Sequence, residues 1–166
     1  MIGRRHIRLK VMQSLYSYFS IPSNEMSVSE NEMIKDIRSI SELQVIIISF
    51  IIELHAYATN FLEENKTKYI PSEEDLNPNI RFLNNRIIIA LKEDELLNKK
   101  VSRISSFWRK NDLDIIRKVF VEMYKSQQYS DYLNNEKDDL NQDKKFIQIM
   151  LNEYILDNEI FHFILQ

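Results

Sequence analysis

Apolar residues recur at helical spacing in the first part of this 166-residue chain. The pattern predicts a helix over residues 3–20, ending before Pro22. The positions expected to face a core share one stripe of that helix, namely Ile7, Val11, Leu15, Tyr18 and Phe19. The polar stretch that follows is expected to connect this helix to the next one.

A second, longer helix is predicted over residues 31–64, where the apolar pattern is densest. Ser29 and Glu32 have the spacing of a capping box at its start, and a break is expected near Ser39 or Ser41. Its core stripe is expected to consist of Leu43, Ile47, Phe50 or Ile51, Leu54 and Tyr57 or Ala58.

Two prolines mark the next segment, residues 68–79, as a loop. Helices are then predicted over residues 80–97, 113–126 and 144–166, whereas the polar residues 127–143 indicate a loop with one helical turn at most. Asp112 is the expected N-cap of the middle helix. The buried positions predicted for that helix are Ile116, Val119, Phe120 and Met123.

The composition favours an all-α helical bundle formed as one domain over residues 1–166. The chain has one glycine, and the tight turns of β-sheets usually require glycine. The longest strongly apolar run, residues 45–52, is well short of the ~20 residues of a membrane span. We therefore expect a cytoplasmic protein with no membrane segment. The end, FHFILQ, carries no helix stop signal, so we expect this to be the N-terminal part of a longer chain.

Catalytic and metal-binding patterns are absent from the sequence. There is no cysteine, no glycine-rich phosphate loop, and no ligand spacing among the three histidines, His6, His55 and His162. Residues 134–145 resemble a calcium loop but lack its central glycine, which indicates a solvated loop. We expect no enzymatic activity, no cofactor and no metal.

Positive charge is concentrated at the N-terminus although the net charge is −3. The first acidic residue is Glu25, and four cations, Arg4, Arg5, Arg8 and Lys10, precede it. Cations at a helix start oppose the macrodipole, at a cost of a few tenths to ~1 kcal/mol each. An anion bound there would reverse that cost, because cations and free N–H groups would converge on it.

The same helix continues from these cations to an amide and a phenol, Gln13 and Tyr16. Guanidinium and ammonium groups bind phosphates, glutamine bonds to base edges, and tyrosine stacks on bases, so the pattern favours single-stranded RNA. The candidate RNA-binding residues are Arg4, Arg5, His6, Arg8, Lys10, Gln13 and Tyr16. A solvated basic tail is the alternative that the residues leave open.

The stretch RRHIRLKVMQSLYSYF resembles the N-terminal helix of the NusB family of bacterial transcription antitermination factors, with its RRxxRxxxxQxLY pattern. Residues 112–124 are more weakly similar to a later helix of that family, and a late motif similar to FVNGVLD is absent. The matching positions are Arg4, Arg5, Arg8, Gln13, Leu15 and Tyr16.

The resemblance implies an all-helical fold and binding of the boxA element of ribosomal RNA leader transcripts. It also implies a protein partner, the ribosomal small-subunit protein NusE. Two other functions stay open: a helical protein-interaction module without RNA binding, and the RNA-binding domain of an rRNA methyltransferase. A homodimer is also left open.

Overall fold

The computed structural model describes residues 4–20, 25–102 and 113–156, and this part of the chain is helical with no strand. The predicted all-α fold is confirmed. Residues 95–102 are helical as well, and a π-helical segment, Met150–Leu156, follows the last α-helix directly. The α-helices are α1 Arg4–Ser20, α2 Met26–Lys66, α3 Glu73–Leu76, α4 Arg86–Glu93, α5 Leu113–Tyr124, α6 Gln127–Asn134 and α7 Leu140–Ile149.

The chain divides into two compact units, residues 1–46 and residues 47–166. In the first unit, α1 is joined to the beginning of α2 by an ion pair of 3.2 Å between Lys10 Nζ and Asp36 Oδ2. The predicted break near Ser39 is wrong, because α2 continues through it. The Ser39 hydroxyl donates to the carbonyl of Asp36 at 2.8 Å, so it is satisfied within the helix.

Two other predictions for the first unit are wrong. The capping box at Ser29 and Glu32 does not form, since α2 already begins at Met26. The core stripe of α1 does not form either: no described α1 side chain is buried, and Leu15 and Phe19 are 51% and 79% exposed. The apolar residues of α1 are spread around more than half of the helix, so one neighbouring helix cannot cover them all.

The core of the second unit lies between the end of α2, α5 and the C-terminal helices. The four positions predicted for α5 are all buried. In α2, Phe50, Ile51, Leu54 and Ala58 are buried as predicted, whereas Leu43 and Ile47 are only half-buried. Aromatic rings connect these helices through edge-on contacts, as in Phe61 with Phe120 at 5.2 Å between centroids.

The apolar part of α2 is longer than residues 45–52 alone indicated. The helix contains an 18-residue window with a mean hydropathy of 1.7, so its length and composition would suffice to cross a membrane. Core helices of soluble proteins meet the same criterion. Eight residues of α2 between Ser49 and Asn65 are buried in this structure.

The predicted loop over residues 127–143 is largely helical. Ser126 caps α6 through a bond of 3.2 Å from the Tyr129 amide, and Tyr129 and Tyr132 are buried. Asp139 caps α7, which begins at Leu140 instead of residue 144. Most residues of α6 are polar and face solvent, so the sequence pattern did not indicate that Tyr129 and Tyr132 are buried.

The predicted helix over residues 80–97 begins later, at Arg86. Asn85 is its buried N-cap, and its side chain accepts hydrogen bonds from the amides of Ile87 and Ile88. The predicted loop over residues 68–79 is confirmed except for the single turn of α3, which Ser72 and Asp75 close as a capping box. The predicted N-cap Asp112 and the predicted helix beyond residue 156 lie outside the described residues.

A buried carboxylate, Asp143, joins α4, α6 and α7 in the second unit. Its Oδ1 accepts from the Tyr132 hydroxyl at 2.8 Å, and its Oδ2 accepts from Arg86 Nη1 at 2.9 Å and from the Arg86 amide at 3.2 Å. The Arg86 guanidinium also pairs with Asp138 at 3.0 Å, and hydrogen bonds to Asp138 and Asp143 raise its pKa. The donors in this cluster are therefore paired inside the fold.

Arg81 completes this cluster from the turn before α4. Its guanidinium carbon lies 4.8 Å from the centre of the Tyr132 ring, a cation–π contact. Its two terminal nitrogens donate to the carbonyls of Asn135 and Lys137. Arg81 and Arg86 together hold the segment between α6 and α7 against the start of α4.

Replacing Asp143 by asparagine should destabilise the chain by about 2 kcal/mol, because the carboxylate uses both oxygens as acceptors and the amide keeps only one, so either Tyr132 or Arg86 loses its acceptor. The matched control is Asp138→Asn, an exposed partner of the same arginine, which should cost less than about 1 kcal/mol. Urea unfolding of both variants measures the difference. Equal losses would contradict a central role for Asp143.

His55 should make folding stability depend on pH. Burial lowers its pKa from the usual 6.5. The hydrogen bond to the Leu83 carbonyl partly offsets this decrease, and the positive charge of Lys92 adds to it. Since the unfolded chain takes up this proton first, stability is full above pH 6.5 and is lost as pH falls. The loss is expected to grow as the pH is lowered from about 7.5 to about 5.5.

His55→Gln keeps a donor for the Leu83 carbonyl and removes the titrating group. Urea unfolding at two pH values, near 7.5 and near 5.5, should show a smaller pH effect in this variant than in the unmodified chain. The same pH dependence in both would rule His55 out as its source.

Candidate nucleic-acid interface

The exposed face of α1 carries three guanidinium groups at its beginning. Arg4, Arg5 and Arg8 are all exposed, and within the described residues no acidic side chain pairs with any of them. The first turn of α1 contains no acid. By contrast, the first turn of α3 contains three, Glu73, Glu74 and Asp75. The repulsion expected between helix dipole and cations is therefore not relieved at these three side chains.

Lys10 differs from the three arginines. It pairs with Asp36 of α2, so this cation is already neutralised within the first unit. Both side chains of the pair are partly exposed, and such pairs contribute at most about 1 kcal/mol. An RNA phosphate could therefore compete for Lys10, but the arginines are the cations that need no rearrangement.

Gln13 is separated from the arginines. It lines a polar cavity of ≈350 Å³ in the first unit, together with serines of α1 and charged residues of α2 such as Glu32, Lys35 and Asp36. On a helix with about 100° per residue, Gln13 is about 140° from Arg8 and about 60° from Lys10. The structure therefore places Gln13 and Lys10 on the flank that faces α2.

Tyr16 lies on the exposed face with the arginines and is 77% exposed. By helical geometry it is only about 20° from Arg5, eleven residues earlier. Most of the ring is therefore accessible, and a base could stack on it. His6, the remaining candidate, belongs to α1, but its side chain is not among those described.

Phe19 is a residue of this face that sequence reasoning misassigned to the core. Its ring is exposed, and it makes an edge-on contact with Tyr18 at 5.3 Å between centroids. Phe19 is eleven residues from Arg8, or about three helical turns, and this spacing could have shown that the two residues share a face. Met12 is exposed between them, so cations and apolar side chains form one continuous face. We call Arg4, Arg5, Arg8, Met12, Tyr16 and Phe19 the α1 surface.

Outside α1, the described part of the chain contains one histidine, His55, and no metal-binding group. Its residues contain no group of three or more His, Asp or Glu side chains placed to bind a metal ion. His55 is buried in the second unit, where its Nε2 lies 3.0 Å from the Leu83 carbonyl. It therefore has a structural contact and is remote in sequence from the other histidines.

Comparison with known proteins identifies no relative. No protein-family model, no curated protein and no solved structure matches this chain. The likeness to the NusB family accordingly depends on the residues of α1 and, more weakly, on residues 112–124.

Proposed function

We propose that this chain is an RNA-binding transcription antitermination factor of the NusB type, which binds single-stranded, boxA-like leader RNA through the α1 surface. The observation that carries the proposal is the set of three exposed guanidinium groups without acidic partners in the described residues, on the same face of α1 as two exposed aromatic rings. The protein would act in the cytoplasm and catalyse no reaction itself.

The chemistry of the α1 surface suits a single strand. A guanidinium group donates two parallel hydrogen bonds to a phosphate and is always charged. Tyr16 and Phe19 supply flat faces on which any base can stack. Double-stranded RNA hides the faces of its bases, so exposed rings on a helix favour an unpaired strand.

The dimensions of α1 set the size of the contact. From Arg4 to Phe19 the helix rises by about 22 Å, at 1.5 Å per residue. The cations occupy the first two turns and the rings occupy the last two. An RNA strand lying along α1 would thus have its phosphates bound at one end and its bases stacked at the other.

A basic protein partner of the NusE type is part of the proposal. Residues 25–166 contain 25 acidic and 18 basic side chains, which favours association with a positively charged protein. The exposed Leu9, Met12 and Leu15 also support the second candidate function, a helical protein-interaction module without RNA binding. The two candidates differ in whether RNA binds at low salt.

RNA affinity should fall with salt in proportion to the number of free cations. Three phosphate contacts predict that log K against log salt has a slope of about −2 for a single strand. The fourth cation, Lys10, would steepen the slope toward −3 only if it leaves Asp36. Replacing Arg4, Arg5 and Arg8 by alanine should bring the slope near zero, as measured by fluorescence anisotropy with a boxA-like RNA.

The matched control removes the same charge from α5 and the turn after it. Arg117, Lys118 and Lys125 are exposed, and their replacement by alanine should leave the slope unchanged. An equal decrease of the salt slope in both triple variants would mean that RNA binding depends only on the total charge of the chain. That result would remove the assignment of the α1 surface.

Stacking should be separable from charge. Replacing Tyr16 or Phe19 by leucine should weaken RNA binding about tenfold, since each stacked base contributes about 1–3 kcal/mol. The salt slope should not change, because no phosphate contact is lost. Tyr69, which is fully exposed in the loop before α3, provides the control Tyr69→Leu. Unchanged affinity in both α1 variants would exclude stacking.

A further inference from the structure

A cavity of ≈320 Å³ opens on the second unit, beside α3 and the ends of α5 and α6. Its described lining contains a carboxylate, two phenols, three amides and apolar side chains, and no lysine or arginine. Its volume is within the range of small-ligand sites. None of these residues belongs to the α1 surface.

One polar group of the cavity lining, the Tyr129 hydroxyl, makes no hydrogen bond within the described chain. Tyr129 is only 3% exposed, and its ring packs against Phe82 and Phe146, both at 5.8 Å between centroids. Its backbone amide bonds to Ser126, but its hydroxyl has no hydrogen-bond partner in the described part of the chain. The hydroxyl is therefore free to bond to a ligand or to water in the cavity.

The described lining of the cavity contains one unpaired carboxylate, Glu74. Glu74 has no ion-pair partner among the described residues, whereas its neighbour Asp75 is held by Ser72 and by Lys68 at 3.5 Å. Tyr124 of α5 also lines the cavity, and its pKa is raised by burial and by the carboxylates Glu74 and Asp75. The Glu74 carboxylate therefore favours a cationic ligand over a phosphate or a carboxylate.

The lining also contains hydrogen-bond acceptors on several sides. Asn79 is already used, since it donates to the Leu133 carbonyl at 2.9 Å and accepts from the Arg81 amide at 3.0 Å. The side chain of Asn77 makes no hydrogen bond within the described chain. A ligand with several N–H donors would find acceptors at Glu74, Asn77 and Tyr129.

We propose that this cavity binds a guanidinium group, which lies on the Tyr124 ring and donates hydrogen bonds to the Glu74 carboxylate and the Tyr129 hydroxyl. A guanidinium is planar, weakly hydrated and carries five donors, so it can stack and hydrogen-bond at once. A lysine ammonium is compact and strongly hydrated, and it gains less from an aromatic wall.

Calorimetry with the full chain tests this site. Nα-acetyl-arginine methylamide should bind saturably, and the citrulline analogue, in which a neutral urea replaces the guanidinium, should bind at least tenfold more weakly. Glu74→Gln should reduce the affinity about tenfold. Glu73→Gln, on the same short helix but outside the cavity lining, should not change it.

Tyr129→Phe should also weaken binding without loss of stability, because the hydroxyl has no partner in the described fold. Equal binding of the arginine and citrulline compounds, or unchanged affinity in both Glu74→Gln and Tyr129→Phe, would overturn the proposal. A folded circular dichroism spectrum of each variant shows that a loss is local. RNA binding through α1 is measured separately and does not depend on the outcome.

The guanidinium could belong to an arginine side chain of a protein or to a small compound, and a peptide distinguishes these two sources. Acetyl-Gly-Arg-Gly amide should bind more tightly than the single arginine derivative if the natural ligand is a side chain of a basic protein. Equal affinity would assign a small guanidinium compound instead. Either result supports the site, and absence of binding by both probes would refute it.

Discussion

Both oxygens of the buried Asp143 carboxylate accept hydrogen bonds, from the Tyr132 hydroxyl on one side and from the Arg86 side chain and backbone on the other. A single residue thus links α4, α6 and α7. Removal of it would leave the hydroxyl of the buried Tyr132 without its acceptor, which is costlier than the loss of an exposed bond. Through α7 and its π-helical extension, this link continues into the aromatic core, where Phe146, Met150 and Tyr154 are buried.

The arginines of the two units have different surroundings. Arg81 and Arg86 are held by carbonyls, carboxylates and an aromatic ring within the second unit. The arginines of α1 have no acidic partner in the described residues, although the chain contains 25 acids. Folding therefore does not require these cations at a helix start. The proposed RNA ligand would account for these cations, since an anion at the helix start reverses their cost and its bases would stack on the rings of the same face.

Local periodicity predicted much of the fold. Helical spacing was enough to identify α5 and its buried residues, since one face of that helix is apolar throughout. The same reasoning failed for Leu15 and Phe19, because spacing does not show how much of a helix a neighbour covers. Asn85 and Asp143 could not be found from sequence. Asn85 bonds to Tyr132, 47 residues away, and Asp143 bonds to Arg86, 57 residues away, so no local pattern reveals these contacts.

For the candidate RNA site, sequence alone identified the cations and Tyr16 but could not show the pairing of Lys10 with Asp36 or the position of Gln13. Photo-cross-linking with a boxA-like RNA containing 5-iodouridine tests the central claim most directly, since it reports which aromatic ring touches a base. The account predicts that the cross-linked peptide belongs to α1 and is modified at Tyr16 or Phe19. Cross-links confined to aromatic residues of the second unit would contradict it.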